Sequence, residues 1–276
     1  MRTSSHRAET VAVAAVTSLG LLLWLCHRRG SLIATRAAWW LEQRLLRLRL
    51  VEHDTVDVGR IKHVAGVDIS FIKGSETDAA AALVVLDVDT LEMVHSSIRR
   101  IVLRAPYIPG YLAFREVDFL LELIDELRRD APSRIPDVIL VDGNGILHPN
   151  RFGLACHLGV LARIPTIGIG KSLHHVDGLT KDMVRDLTGS ALHARGEHVN
   201  LVGASGAIWG ALLRTTDPND GQCKPVVVSV GHGLSLPSAL ELVRRCTRHR
   251  IPEPVRQADL QSRAWLREHG AVAGGS

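Results

Sequence analysis

Apolar and polar positions follow a two-residue rhythm, or gather into short apolar blocks, in three successive stretches between residues 61 and 103. Ile61 to Phe71 places Val64, Val67 and Ile69 in strand-like company. Ala79 to Leu86 is an unbroken apolar run, AAAALVVL. Leu91 to Leu103 sets Ile98, Ile101 and Val102 among charges. All three predict strands. The rhythm then changes. Phe119, Leu120, Leu123, Ile124 and Leu127 recur at helical spacing within Val117 to Arg129, and Pro132 and Pro136 close that helix. Asp137 to Val141 (DVILV), followed by Asp142-Gly143, reads as the end of a buried strand. Further on, the pattern predicts a helix over Leu154 to Leu161 and a strand over Thr166 to Ile169. A hairpin follows over Val199 to Leu213, turning at Gly203 to Gly206, then a strand over Val226 to Val230 and a helix over Leu236 to Arg248. Pro252-Glu253-Pro254 is expected to break the chain before a last helix near Leu260 to Arg267. Upstream, Trp39 to Leu50 (WWLEQRLLRLRL) reads as an amphipathic helix with a basic face.

Three hairpin-connected strands, then helix, strand, helix, strand, predict an α/β fold: a mixed sheet with helices on its faces, in an order resembling the ribonuclease-H-like fold. The expected organisation is an N-terminal extension over residues 1–36, a single domain over 37–270 and a disordered tail over 271–276. The extension contains Thr10 to Cys26, 17 residues without a charge, flanked by Arg2 and Arg7 before it and His27-Arg28-Arg29 after it. That length is the lower limit for a membrane span. Three readings stay open: an anchor that leaves the main body in the cytosol, a signal peptide without a clear cleavage site, and an alternative-start extension with no membrane role.

Charge is unevenly placed. The chain of 276 residues has a formal net charge of +4, but residues 1–50 hold eight Arg and two Glu, a net of +6. Residues 51–276 therefore carry −2, and nucleic-acid binding there would need local basic patches. Cys26, Cys156, Cys223 and Cys246 show no paired metal-ligand spacing, which argues against structural zinc and for free thiols in a reduced compartment.

Three carboxylates stand at points of structural punctuation. Asp68 lies inside the apolar strand GVDIS, Glu116 opens the helix after an aromatic turn, and Asp142 closes DVILV. At adjoining strand ends and a helix start they could converge on one point, which suits Mg²⁺ with its preference for oxygen donors. Each also has an ordinary structural reading: a buried hydrogen bond for Asp68, a helix-dipole partner for Glu116, a turn-former for Asp142. Lys171, in IGIGKS just past a strand, could hold a phosphate. Its spacing from Gly168 is too short for a nucleotide-binding P-loop. His232, in VSVGHG, lies at another strand end. Both tyrosines, Tyr107 and Tyr111, fall in RAPYIPGYLAFRE (104–116), a rigid aromatic turn that runs into Glu116.

Together GVDIS, PYIPGYLAFRE, VDGNGILHP, IGIGKS, VSVGH and IPEPVRQAD resemble the endonuclease V family, in the family's order, from about Trp39 to Arg267. VDGNG and IPEPVRQAD look closest to animal members. The resemblance implies a Mg²⁺-dependent endonuclease, with Mn²⁺ as a substitute, that recognises inosine and cuts the second phosphodiester bond 3′ to it, leaving 3′-hydroxyl and 5′-phosphate ends. It implies inosine-containing single-stranded RNA as the substrate, with deoxyinosine-containing DNA as the alternative. A monomer in cytoplasm and nucleus or nucleolus is expected. It assigns Asp68, Glu116 and Asp142 as metal carboxylates, Lys171 as a contact near the scissile phosphate, and His232 as a further active-site residue. Tyr107 becomes a wedge that stacks where the extruded base was, held by Pro106, Ile108 and Pro109, with Gly110, Leu112 and Gly143 forming the base pocket. Gly233 departs from the family, where a basic residue is usual. A catalytically silent binding homologue and a membrane-anchored structural protein are the rival readings. The first is disfavoured by the presence of all the carboxylates together with Lys171 and His232, and the second leaves six nuclease-like segments unexplained.

Overall fold

The computed structural model describes residues 32–220 and 223–269. The apolar segment of residues 10–26 and the tail expected over 271–276 lie outside them. Among the described residues no helix is long and apolar enough to cross a membrane. The chain divides into two compact units, with the break between Leu48 and Arg49. In the first, Leu32–Arg47 forms helix α1, on which the Arg44 guanidinium lies 5.1 Å from the Trp40 ring centroid.

The second unit is built on one eight-stranded sheet. Its strands are β1 (His63–Phe71), β2 (Asp78–Asp87), β3 (Met93–Val102), β4 (Val138–Asp142), β5 (Thr166–Gly170), β6 (His198–Val202), β7 (Ile208–Leu213) and β8 (Val226–His232). They lie in the order β3-β2-β1-β4-β5-β8-β7-β6. β1, β4 and β5 are parallel, while β2, β3 and β8 run antiparallel to their neighbours. The expected mixed sheet of ribonuclease-H-like order is present, and strand identities follow the sequence pattern closely. The all-apolar blocks of β2 and β4 are buried on both faces, as central strands must be.

Alternation along the strands separates two cores. Ala65, Val67, Ile139 and Val141 face α2 (Ala113–Asp130) and α3 (Leu154–Ala162). Val64, Leu140 and Ile167 face α5 (Leu236–Arg245) and α6 (Glu253–His269). A smaller cluster joins the β6–β7 hairpin to Leu147 and Leu179. α4 (Lys181–Ala191) was not predicted by the periodicity, because none of its residues is fully buried. Its start is set by Thr180, whose side chain accepts from the Met183 N–H.

α6 departs most from expectation. It begins at Glu253 rather than near Leu260. Pro254 sits in its first turn, where the missing N–H leaves no intrahelical bond unmade, so the proline starts the helix instead of breaking it. The helix lies tight on β1. A Cβ at Gly66 would come within 1.9 Å of the Pro254 carbonyl oxygen, so any larger residue there would push α6 away.

Candidate active site

Parallel pairing of β1 with β4 sets Val67 opposite Val141, so Asp68 and Asp142 come next, side by side at the C-terminal ends of neighbouring strands. Both follow the alternation that faces α6. Asp68 is 8% exposed, and its Oδ2 accepts from the hydroxyls of Ser70 and Ser262, each at 2.8 Å. Burial raises its pKa above the usual aspartate value against those two bonds, and the charges of Asp142 and Asp259 raise it further. From the other face, the first turn of α2 brings in Glu116. Burial, then the charge of Asp68, pushes this carboxyl up to about 7, with Arg115 opposing and Asp142 adding to the rise. Lys171 Nζ donates to Asp142 Oδ2 at 2.6 Å. Asp68, Asp142, Lys171, Asp259 and Arg263 line an open cavity of about 420 Å³.

Four of the five residues expected to do chemistry are thus gathered. His232 is not. β8 runs antiparallel to β5, with Thr166 opposite His232 and Gly170 opposite Val227. The strand end that carries His232 is therefore opposite the one that leads to Lys171, and Thr166 to Gly170 spans four residues of β5, or roughly 13 Å at strand rise. There its Nδ1 accepts from the Val51 N–H at 3.3 Å, and the Gly233 N–H donates to the Val51 carbonyl at 2.7 Å. Gly233, the departure from the family pattern, is part of this staple of residues 51–55 to the sheet end. The place expected of His232 is taken by Asp259, which α6 delivers beside Asp68. Asp259 closes the segment IPEPVRQAD, so its signal was in the sequence. Reading Pro254 as a breaker concealed that the segment is helical and lies over β1.

The aromatic turn stands as the sequence suggested. Tyr107 is 63% exposed, while Tyr111 is buried and tilted against Phe114 with ring centroids 6.1 Å apart. The Tyr111 N–H donates to the Ile108 carbonyl at 2.9 Å, and Gly110 has φ +84°, closing the turn between Pro106 and exposed Leu112. Gly143 follows Asp142 and donates to the Ile169 carbonyl. A further residue, His148, holds the turn from below. Burial, with His174 beside it, drives its pKa down to about 4, so the ring is neutral at pH 7. Its Nδ1 accepts from the Asn150 N–H at 3.2 Å, which leaves Nε2–H to donate to the Gly110 backbone. His148 lies in the quoted segment VDGNGILHP, but nothing local tells a ring under a distant turn from an exposed one.

The donor chemistry of the carboxylates suits a hard divalent cation: oxygen ligands only, two of them raised in pKa first by burial and then by neighbouring carboxylates. Among the described residues no three His, Cys, Asp or Glu side chains are preassembled around one ion. Closing the set around an ion needs side-chain movement.

Acidic side chains at the adjoining ends of the central parallel strands of such a sheet define a nuclease of the ribonuclease-H-like class. The endonuclease V family model matches residues 44–260. The chain is 45% identical to mouse endonuclease V over 239 residues, covering 84% of this chain and 70% of the mouse protein. It is 44% identical to human endonuclease V over 246 residues, covering 87% and 86%. The catalytic domain of the human protein superposes with a TM-score of 0.81 over 85% of this chain and 96% of that one, at 44% identity. Endonuclease V from Ciona intestinalis, in complex with a 24-mer DNA containing an inosine followed by a ribo-adenosine, gives a TM-score of 0.77 at 32% identity, covering 85% and 98%. The chain belongs to the endonuclease V family of metal-dependent nucleases.

The exposed Tyr107 ring makes a clear prediction. Stacking needs the ring and not the hydroxyl, so Tyr107→Phe should bind an inosine-containing strand like the parent. Tyr107→Ala should weaken binding by about 1–3 kcal/mol. Because the ring is outside the core, the melting temperature of the Ala variant should stay near the parent value. Equal impairment of both variants would show that the hydroxyl takes part.

Proposed function

We propose that the protein is a Mg²⁺-dependent endonuclease that recognises inosine, in single-stranded RNA before DNA. It hydrolyses the second phosphodiester bond on the 3′ side and leaves a 3′-hydroxyl and a 5′-phosphate. The observation that carries this reading is the convergence of Asp68, Glu116, Asp142 and Asp259 beside Lys171. The inosine-containing strands bound by the Ciona relatives support the choice of base.

Asp68, Asp142, Glu116 and Asp259 would hold Mg²⁺, or Mn²⁺ in its place. Bound there, a divalent cation supplies a Lewis acid that polarises the phosphoryl oxygen and lowers the pKa of water. The chain's own groups prepare the rest. Lys171 trades its carboxylate partner for a phosphate oxygen, keeping one charge-assisted bond throughout. Ser70 and Ser262 occupy Oδ2 of Asp68 and so fix its orientation. Backbone groups around Gly110 and Gly143 can tell hypoxanthine from adenine, because one offers an acceptor where the other offers a donor, and a mismatched buried pair is costly.

The scissile bond adjoins the sugar of the nucleotide after the inosine, so a 2′-hydroxyl there is within reach of the site. Matched inosine strands of RNA and DNA, incubated with Mg²⁺ at equal salt, test base, metal and sugar together. RNA should be cut faster. Equal or faster cutting of the deoxyinosine strand would overturn the RNA preference, and no dependence on inosine would overturn the reading as a whole.

A further inference from the structure

A second and larger cavity, of about 730 Å³, opens beside the carboxylate site and shares Lys171 with it. Its lining includes Lys171, Lys181, Arg185, Arg214, Lys224 and Arg250 and, among the described residues, no Asp or Glu. In a main body of net −2 this is a local concentration of positive charge, and its cations are differently employed. Arg214 and Arg250 are spent on the frame. Arg214 donates to the Leu192 and Thr216 carbonyls, and Arg250 donates to the carbonyls of Lys224 and Lys171, tying the groove wall to the active-site lysine. Arg185 is shared with Asp182 and Asp186 on its own helix. Lys181 and Lys224 have no ion pair among the described residues. A second arginine-rich hollow, around Arg99 and Arg100, differs in this respect, because those two are paired with Glu122, Glu126 and Asp78.

We propose that this groove binds the phosphodiester backbone of the substrate strand on the 3′ side of the scissile bond, with Lys181 and Lys224 as its phosphate contacts. The inference rests on the proposed function, from which it takes its polarity. The turn at Tyr107 belongs to the inosine, Lys171 to the scissile phosphate, and no residue of the turn lines the groove. A strand that passes from the turn to Lys171 and onward therefore enters the groove with the nucleotides beyond the cut. Lysines suit such a groove, because they are point charges that grip phosphate without reading sequence. The groove is also where the 5′-phosphate product would remain after cleavage.

The test uses the full chain and inosine-containing single strands that end just past the scissile bond, or extend beyond it by about eight nucleotides on either the 3′ or the 5′ side. Metal-free binding and Mg²⁺-dependent cleavage are both measured. The parent should favour the 3′-extended strand by about tenfold in Kd at low salt. Lys181→Ala combined with Lys224→Ala should lose most of that advantage. The slope of log Kd against log salt should become shallower by about 1.4, near 0.7 for each phosphate contact removed. Arg60→Glu, an exposed site outside the groove with the same change in net charge, should keep both the advantage and the slope. An undiminished 3′ advantage in the double variant, or an advantage that follows the 5′ extension, would overturn the groove assignment while leaving inosine-dependent cleavage in place. Absence of inosine-dependent cleavage by the parent would overturn the function on which the groove's polarity rests.

Discussion

Asp142→Asn should abolish strand cleavage, lowering kcat by at least about 10³-fold, or roughly 4 kcal/mol of transition-state stabilisation. Asp142 is the carboxylate that the register of β1 and β4 sets beside Asp68, and it is the partner of Lys171 at 2.6 Å. An amide keeps the shape but removes the charge, and with it the hard anionic oxygen that a divalent ion prefers. The effect should fall on kcat and on the metal requirement. Folding should survive, because the pair lost with Lys171 is partly exposed and contributes little, while the charge of Asp142 adds to the difficulty of ionising Asp68 and Glu116. Asp68→Asn should behave likewise in activity. Single-turnover cleavage across a Mg²⁺ titration, beside thermal unfolding, separates lost chemistry from lost structure. Near-parental turnover in either variant would remove that residue from the site.

Glu116→Gln should divide stability from activity. Burial and the charge of Asp68 hold the Glu116 carboxyl near 7, against 4.5 in a free side chain. Between those values the folded protein keeps a proton that the unfolded chain has released, so stability declines as pH rises through the window. Above about pH 7 the accumulated penalty approaches 3 kcal/mol, an upper bound set by the size of the shift. Glutamine has no such titration. In chelator, the variant should match the parent near pH 4 and exceed it at pH 8 by up to about 3 kcal/mol, while cleaving nothing. Mg²⁺ should shrink the gap, because an ion that binds the folded carboxylates stabilises the parent more. Denaturant unfolding at several pH values, with and without Mg²⁺, is the measurement. A gap that does not change with pH would mean that Glu116 is not held near 7 by its surroundings.

Both predictions draw on residues that stood out in the sequence, and their partners show why others did not. An Asp inside GVDIS is conspicuous because an unpaired charge in an apolar strand is costly, so its presence announces a use. Glu116 and Asp142 were marked by the boundaries they occupy. Asp259 closes a recognisable segment, but its role, like that of Ser262, is hidden because an aspartate or a serine in a helix is ordinary until that helix is laid on β1. His148 gains a role only through the distant Gly110, whose backbone it meets in the folded chain. His232 had the same local claim to chemistry as Asp142, a strand end beside glycine, and differs from it only in the direction of its strand.

That difference marks where the sequence stops. Side-chain period reports which face of an element is buried, and turn residues report where it ends, so the strands, the long helix after the aromatic turn and the three principal carboxylates were written locally. Strand direction, sheet order and the seating of a terminal helix carry no local period. They are settled by which apolar faces pair over long separations and by where a missing side chain, as at Gly66, lets a helix approach. Only those choices put Asp259 at the carboxylates, sent His232 to the far end of the sheet, and lined a groove beside Lys171 with cations drawn from segments as distant in sequence as Lys181 and Arg250.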